Sequence, residues 1–274
     1  MIATASFASS RARRASFFLA TVLACAGAAL PARAQSGADG NAPSNDASRR
    51  ALGLGVVSRQ LPYAGVERDN KAVPLLYFEN RWLRVAGGNA ELKLLHKTFT
   101  PTQTVSAGLR LKYEDEGYEA KDSTRLSGME ERKGGFWGGA AVAWRNPIAQ
   151  LSAEWVADLS GNSKGQKLLL QVDRRIAWNG FSLTPRVQAQ WLGKKYVDYY
   201  FGVRADEAGP DRMAYAGRSA MAIEAGLRMD YSVNSKHSVF LDLSATRLPD
   251  EIKLSPIVDR SSSSRVAAGY LYRF

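Results

Sequence analysis

The last ten residues of the chain, Arg265-Val266-Ala267-Ala268-Gly269-Tyr270-Leu271-Tyr272-Arg273-Phe274, have the pattern of one long β-strand. Because side chains alternate along an extended backbone, one face is apolar and ends in three aromatic rings, while the other is small or charged. A chain end on an aromatic residue with no polar tail is unusual for a soluble protein, whose termini are usually frayed and solvated. The stretch resembles the closing strand of a bacterial outer-membrane β-barrel. A buried terminal strand of a soluble sandwich is the alternative. The expected signal for the barrel assembly machinery consists of Tyr270, Tyr272 and Phe274.

The first 34 residues predict a cleaved signal peptide. A positively charged start precedes an apolar stretch over residues 16–30, and Ala32-Arg33-Ala34 is an A-x-A cleavage site, with Ala32 and Ala34 as its small residues. Cleavage there removes Cys25, the chain's one cysteine, so we expect no disulfide and no thiol chemistry in the mature protein. The positive start comprises Arg11, Arg13 and Arg14.

A polar leader and one barrel domain are expected after the signal peptide. Residues 35–50 are rich in Gly, Ser, Asn and Asp without periodicity, which indicates disorder. Residues 51–274 form the predicted barrel, because strand-like runs follow one another there and no helical period persists. No apolar run of ~18 residues lies in this part, but barrels hide their lipid-facing residues by alternation.

The runs predict an all-β fold, a transmembrane antiparallel up-and-down β-barrel of about 12 strands with both ends in the periplasm. Many runs approach the ~9–11 residues that cross a bilayer at a tilt. Boundaries are least definite in 73–98, and the run 181–203 is too long for one crossing, so we expect it to project above the membrane. The predicted strands are 51–59, 73–80, 82–87, 91–98, 103–113, 134–144, 149–159, 166–178, 181–203, 219–231, 237–247 and 265–274.

Turns and aromatic residues support the same architecture. Short turns, such as the hairpin signal Asn179-Gly180, alternate with longer polar stretches, as expected when one barrel end faces the periplasm. Aromatic rings near strand ends predict interfacial girdles, although each ring alone could equally belong to a soluble core. These rings are Trp82, Trp137, Trp144, Trp178, Trp191, Tyr199 and Tyr200.

Charged residues occupy the face of the strands that we expect to line the lumen. They have two interpretations: a paired network that plugs a small barrel, or a polar lining that selects solutes. A barrel of about twelve strands lies between filled small barrels and open porins, so both stay open. The candidates for lumen lining are Arg110, Lys112, Glu154, Asp158, Arg186, Glu224, Arg228, Asp230 and Asp242, with Asp173 and Arg175 on the same face.

The sequence shows no pattern for catalysis, a metal or a cofactor. The two histidines, His96 and His237, lack partners at metal-binding spacing, and nucleotide-binding and nucleophile motifs are missing. The net charge is +11, but the basic residues are mixed with 26 acidic residues and form no Lys/Arg-rich run. This distribution argues against a nucleic-acid partner and favours contact with anionic lipids or a charged lumen.

Several short motifs in order resemble the MipA/OmpV family of outer-membrane proteins, over nearly all of residues 51–274. The resemblance implies a noncatalytic outer-membrane barrel that acts as a scaffold, bringing a lytic transglycosylase and a penicillin-binding protein together for peptidoglycan (murein) synthesis. Other members resemble porins or adhesins. The motifs are Gly53-Leu54-Gly55, Pro62-Tyr63-Ala64-Gly65, Val73-Pro74-Leu75-Leu76-Tyr77, Tyr199-Tyr200-Phe201-Gly202-Val203, Glu207-Ala208, Arg247-Leu248-Pro249, Leu254-Ser255-Pro256-Ile257-Val258 and Tyr272-Arg273-Phe274.

Three functional hypotheses follow. The first is a scaffold in the outer membrane of a Gram-negative bacterium, in contact with outer-membrane lipids and the barrel assembly machinery. The second is a porin-like channel for small solutes. The third, a barrel hydrolase, has no assembled set of catalytic residues in its favour.

Overall fold

The computed structural model describes residues 48–274, which form a closed antiparallel β-barrel. Strands that are neighbours in sequence pair with each other, except that β8 and β9 both pair with β10, and β1 pairs with β13, so the sheet closes on itself. The strands are β1 (Arg49–Gln60), β2 (Asp69–Glu79), β3 (Leu83–Ala86), β4 (Asn89–Thr100), β5 (Gln103–Glu114), β6 (Gly135–Arg145), β7 (Gln150–Asp158), β8 (Gln166–Asp173), β9 (Ile176–Trp178), β10 (Phe181–Leu192), β11 (Ala220–Ser232), β12 (His237–Arg247) and β13 (Ser262–Arg273).

The thirteen strands make twelve barrel strands, because β8 and β9 are two parts of one. Both pair with β10, and Arg174-Arg175 interrupts the ladder between them. The predicted strand 166–178 is therefore one strand of the barrel with a break near its end. The predicted transmembrane antiparallel barrel of about 12 strands is confirmed.

The strands alternate as a membrane barrel requires. On β1, Leu54 and Val56 are 72% and 61% exposed on the outer wall, whereas Gly55 and Val57 between and beyond them are buried on the inner side. Outward apolar and inward polar or small residues are the signature of a wall between hydrocarbon and an enclosed interior. No helix in residues 48–274 is long and apolar enough to span a membrane.

The two barrel ends differ in their connections. One end, here called the short-turn end, carries residue 48, Phe274 and the connections 80–82, 101–102, 146–149, 179–180 and 233–236. The other, the long-loop end, carries 61–68, 87–88, 115–134, 159–165, 193–219 and 248–261. Bacterial barrels have short periplasmic turns and long outer loops, which places the short-turn end in the periplasm. Only the Gly87-Gly88 turn is short at the long-loop end, and both its glycines have positive φ, 52° and 82°.

Several predicted boundaries are wrong. The first strand begins at Arg49 rather than residue 51, since Arg49 and Arg50 pair with Glu79 and Phe78 of β2. The second begins at Asp69, four residues early. The poor alternation of 91–98 has a physical cause: the register of β4 against β5 shifts between Lys93 and Leu95, as at a β-bulge. The predicted signal peptide and nearly all of the leader lie outside the described residues.

The largest error concerns the run 181–203. The strand β10 ends at Leu192, and helix α1 (Lys194–Phe201) follows. Tyr196, Val197, Tyr200 and Phe201 are buried on one side of this helix, whose aromatic and β-branched composition suits a strand in isolation. Residues 194–201 therefore do not continue the strand but pack into a core of loop and strand-end residues at the long-loop end. A second short helix, α2 (Asp250–Lys253), joins the same core.

Candidate functional site

A network of opposite charges fills the inner face of β4, β5, β7 and β8. The Nζ atom of Lys112 lies 2.5 Å from Glu154 Oε1 and 3.0 Å from Glu114 Oε1. Arg110 bonds to Glu154 at 3.1 Å and lies 3.3 Å from Glu91. These side chains come from different strands, so the network spans the interior side of the wall.

A second network lies on the opposite side, on β10, β11 and β12. Arg186 donates two hydrogen bonds to the Asp242 carboxylate, at 2.9 and 3.0 Å, and lies 3.6 Å from Glu224. Arg228 pairs with Asp230 at 2.9 Å on its own strand. Arg186 reaches across from β10 to β12 because both residues face the lumen beside Gly226, which has no side chain to block the path.

Eight of the nine candidate lumen residues therefore belong to two paired networks. The ninth, Asp158, is the last residue of β7 at the long-loop end, and its side chain bonds to the adjacent loop rather than to another strand. Its carboxylate accepts hydrogen bonds from the backbone N–H groups of Ser160, Gly161, Ser163 and Lys164, at 2.7–3.2 Å. It shapes the outer loop 159–165. Of the two further candidates, Asp173 is buried and accepts a hydrogen bond from the Gln171 side chain, and Arg175 lies in the break before β9.

An apolar cluster on the inner wall was missed from the sequence. Val57, Val73, Leu75 and Phe240 pack together inside the barrel, on β1, β2 and β12. Gly269 of β13 makes room for them, since a Cβ there would lie 2.7 Å from both Leu75 Cδ1 and Phe240 Cε1. The guanidinium of Arg228 lies 4.2 Å from the centre of the Phe240 ring, which links this cluster to the second charge network. This sector of the lumen is filled with side chains.

The loops at the long-loop end fold into an aromatic cap, a cluster that sequence reasoning also missed. Tyr63 packs against Tyr118 and Phe201, with ring centres 4.7 and 5.6 Å apart. Trp137 packs against Tyr196 of α1 at 5.8 Å. The cap also contains Val66, Leu126, Met129, Val156, Leu192, Val197, Tyr200, Val203, Leu248, Ile252 and Ile257.

The cap corrects part of the predicted aromatic girdle. Trp137 and Tyr200 are 1% and 2% exposed, and Tyr199 packs against the same cluster, so none of the three belongs to a lipid interface. Trp82 and Trp178, by contrast, are 57% and 50% exposed near the short-turn end. The inward position of Trp137 could have been read from the alternation in β6, because Trp137 lies on the same face of that strand as Gly135 and Gly139.

A buried ion pair joins two loops of the cap. The guanidinium of Arg132 lies 2.7 Å from Glu207 and also donates to the Tyr199 carbonyl at 2.7 Å. Burial tends to raise the pKa of Glu207, but hydrogen bonds from Arg132 and from the backbone N–H groups of Glu130 and Arg204 outweigh it, so this pKa is lowered. Glu207 is therefore held as a carboxylate that fixes the loops.

Two cavities remain near the cap. A cleft of about 650 Å³ opens at the rim between β1, β2 and the loop 115–134. Basic and acidic side chains both line it, including Arg59, Asp69, Lys71, Asp115 and Glu116. A smaller cavity of about 260 Å³ lies beneath the cap, above Glu224 and Arg265. Burial and the nearby Glu114 raise the pKa of Glu116 despite the opposing effect of Lys167.

The closing strand has the orientation predicted from its pattern. Tyr270 and Phe274 are exposed on the outer wall, Tyr272 shares that face, and the rings of Tyr272 and Phe274 meet edge to face at 5.1 Å. The backbone N–H of Phe274 bonds to the Arg50 carbonyl, so the chain end is fixed to β1.

Within residues 48–274, no three His, Cys, Asp or Glu side chains are grouped to hold a metal.

Comparison with known proteins places this barrel in a family. YiaT, an outer membrane protein of Escherichia coli K12, is 23% identical over 229 residues, which cover 83% of this chain and 92% of YiaT. The MltA-interacting protein of the same strain is 27% identical over 229 residues, 82% of this chain and 90% of that protein. The outer membrane protein OmpV of Vibrio cholerae is 26% identical over 188 residues, 68% of this chain and 73% of OmpV.

These relatives and the lipid-facing wall identify an outer-membrane β-barrel of a Gram-negative bacterium. Residues 52–274 match the family described as MltA-interacting protein MipA, which is nearly the whole described barrel. The chain therefore belongs to the MltA-interacting protein MipA family.

Proposed function

We propose that this barrel is a noncatalytic scaffold that holds enzymes of murein hydrolysis and synthesis at the periplasmic face of the outer membrane. The observation that carries the proposal is its relationship to a protein named for its interaction with MltA, over 82% of this chain. The expected partners are a lytic transglycosylase and a penicillin-binding protein.

The interior of the barrel supports a structural role. We propose that Arg110, Lys112, Glu154, Arg186, Glu224, Arg228, Asp230 and Asp242 serve as a plug, because opposite charges neutralise one another within each network on the inner wall. Unpaired inward charges of one sign would be expected in a lining that attracts a charged solute. The aromatic cap adds a second obstruction above them.

The short-turn end is the surface that periplasmic enzymes can reach. The turns 146–149 and 233–236 each contain exposed apolar side chains, Ile148 at 73% and Val233 at 57%. We propose these turns as part of the enzyme-binding surface. We also propose Tyr270, Tyr272 and Phe274 as the signal for the barrel assembly machinery, acting before the scaffold is in place.

A binding experiment tests the scaffold. The full barrel, purified in detergent and immobilised, is expected to retain a purified lytic transglycosylase and a penicillin-binding protein of its own organism. A variant with Ile148→Asn and Val233→Asn should retain less, whereas the long-loop control Met213→Asn, at a residue 78% exposed, should retain as much as the native protein. Failure of the native barrel to retain either enzyme would overturn the proposal.

A porin-like channel for small solutes is the second candidate. The cleft of about 650 Å³ at the outer rim and the cavity of about 260 Å³ beneath the cap are the observations in its favour. A conducting path would require the cap to open and the paired charges to part.

A further inference from the structure

The net charge of the barrel is concentrated at its short-turn end. Residues 48–274 contain 33 Lys and Arg against 24 Asp and Glu. Ten of these bases but only three of these acids lie in the short turns, in the break 174–175 or among the four strand residues next to each turn, so that end carries +7 and the rest of the barrel +2. The bases are Arg49, Arg50, Arg81, Arg84, Lys97, Arg145, Arg174, Arg175, Lys236 and Arg273, and the acids are Glu79, Asp173 and Asp230.

The acids at this end are engaged inside the barrel. Glu79 accepts hydrogen bonds from Lys93, at 2.6 Å, and from the Tyr77 hydroxyl. Asp230 pairs with Arg228, and Asp173 is buried. None of these three acids therefore lies on the outer wall of the short-turn end.

Three of the bases lie on the outer side of the neighbouring strands β1 to β4, each over an aromatic ring. Arg50 lies over the Phe78 ring at 5.9 Å, Arg81 over the Trp82 ring at 4.7 Å, and Lys97 over the Phe99 ring at 5.1 Å. Arg50, Arg81 and Lys97 are all exposed, and within the described residues none of them forms a salt bridge. Arg50 and Phe78 are direct partners across β1 and β2.

The wall above this group is apolar and exposed. Leu54 and Leu94 are 72% and 62% exposed, and Leu52, Leu76 and Leu92 share the same side of the barrel. Aromatic rings at the boundary between an apolar wall and a basic rim are placed where lipid headgroups lie. Each ring holds its cation beside the membrane surface rather than over the lumen.

We propose that Arg50, Arg81 and Lys97 form a binding site for the phosphates of anionic glycerophospholipids in the periplasmic leaflet, with the acyl chains on the leucine wall above. Zwitterionic lipids present a phosphate too, but their ammonium groups are repelled by an uncompensated basic surface. The inference is independent of the proposed scaffold function, since it concerns the outer wall and not the enzymes.

Lipid retention on the purified barrel tests the site. The protein is incorporated into nanodiscs of phosphatidylcholine containing a minor fraction of phosphatidylglycerol, released, and examined by native mass spectrometry for the lipids that remain bound. We expect phosphatidylglycerol to be enriched over its fraction in the nanodisc. The variant Arg50→Gln, Arg81→Gln, Lys97→Gln should lose this enrichment by about tenfold or more, since each cation near a membrane surface contributes roughly fivefold.

A matched control removes three exposed cations from the long-loop end. Lys121→Gln, Lys194→Gln and Lys195→Gln change the net charge equally, so they should leave the enrichment unchanged. Electrophoresis of unheated samples, in which a folded barrel migrates differently from the heat-denatured chain, checks that both variants are folded. Equal retention of the two lipids by the native protein, or equal loss in both triple variants, would overturn the proposal. If the native protein shows no lipid preference but binds isolated murein sacculi through these charges, the lipid proposal is wrong and the three cations bind the cell wall instead.

Discussion

Arg132 and Glu207 form a salt bridge of 2.7 Å between two outer loops, although each side chain is only 3% exposed. The two residues are 75 positions apart in sequence. The pair joins the loop that follows β5 to the loop that follows α1, and Arg132 also bonds to the Tyr199 carbonyl. A buried charge pair within an aromatic cluster is therefore one of the contacts that join the two loops at the long-loop end.

Removing one partner should loosen the cap. Glu207→Ala leaves Arg132 as an uncompensated buried charge, which costs about 3–5 kcal/mol. We expect rapid protease cleavage within loops 115–134 and 193–219 while the barrel itself stays folded. The exposed pair Lys121–Glu119 provides the control, because Lys121→Ala should leave the cleavage rate unchanged. Equal resistance of Glu207→Ala and the native protein would show that the pair does not hold the cap.

The cap should also open at acid pH. The pKa of Glu207 is lowered below its ordinary value of 4.5, so its contribution to stability is complete above pH ~4.5 and is lost as the pH falls through the lowered pKa. Protease accessibility of the loops, measured from pH 6 down to pH 3 with an acid-tolerant protease, is expected to rise only in this lower range. In Glu207→Gln the accessibility should be high throughout and nearly independent of pH; a native-like acid transition in this variant would exclude Glu207 as its origin.

The inner apolar cluster requires glycine at position 269. A Cβ there lies 2.7 Å from Leu75 and Phe240, so Gly269→Val forces both side chains from the packed inner wall, at a cost of about 1–3 kcal/mol. We expect a lower unfolding temperature in detergent. Gly209→Val is the control, since its Cβ would meet nothing within 4 Å. No difference between the two variants would mean that the inner wall is not packed as described.

Loss of the terminal aromatic residue should impair assembly. Deletion of Phe274 removes a ring that is 72% exposed on the outer wall and packs against Tyr272. We expect a reduced amount of folded barrel in the outer membrane, measured by fractionation and gel mobility. The substitution Phe274→Tyr, which keeps a terminal ring, should restore most of it. Unchanged levels after deletion would count against the role of this residue as a signal.

The sequence was sufficient for the barrel but not for the cap. Alternation with period two is imposed directly by hydrocarbon on one side of the wall, so residues such as Leu54 and Val56 could be assigned to the outside without knowing their neighbours. Partners of Arg186 and Lys112 could not be read from the chain, because they depend on the register and stagger of strands distant in sequence.

Helix α1 shows why the outer loops were harder. Its residues Tyr196, Val197, Tyr200 and Phe201 favour a strand by composition, whereas contacts with distant parts of the chain, including Tyr63 and Trp137, stabilise the helix. Tertiary packing thus outweighed local preference. The buried pair of Arg132 and Glu207 had no local signal either, since both residues occur in loops that looked polar and exposed.

Conductance of the purified barrel in planar lipid bilayers tests most directly whether this lumen is closed. With the aromatic cap in place and the inward charges paired, we expect no stable conductance steps from the native protein at neutral pH. An otherwise identical preparation of Glu207→Ala with Trp137→Ala, in which the cap is disrupted, serves as the comparison. Stable, ion-selective steps from the native barrel would contradict the closed lumen and favour the solute channel.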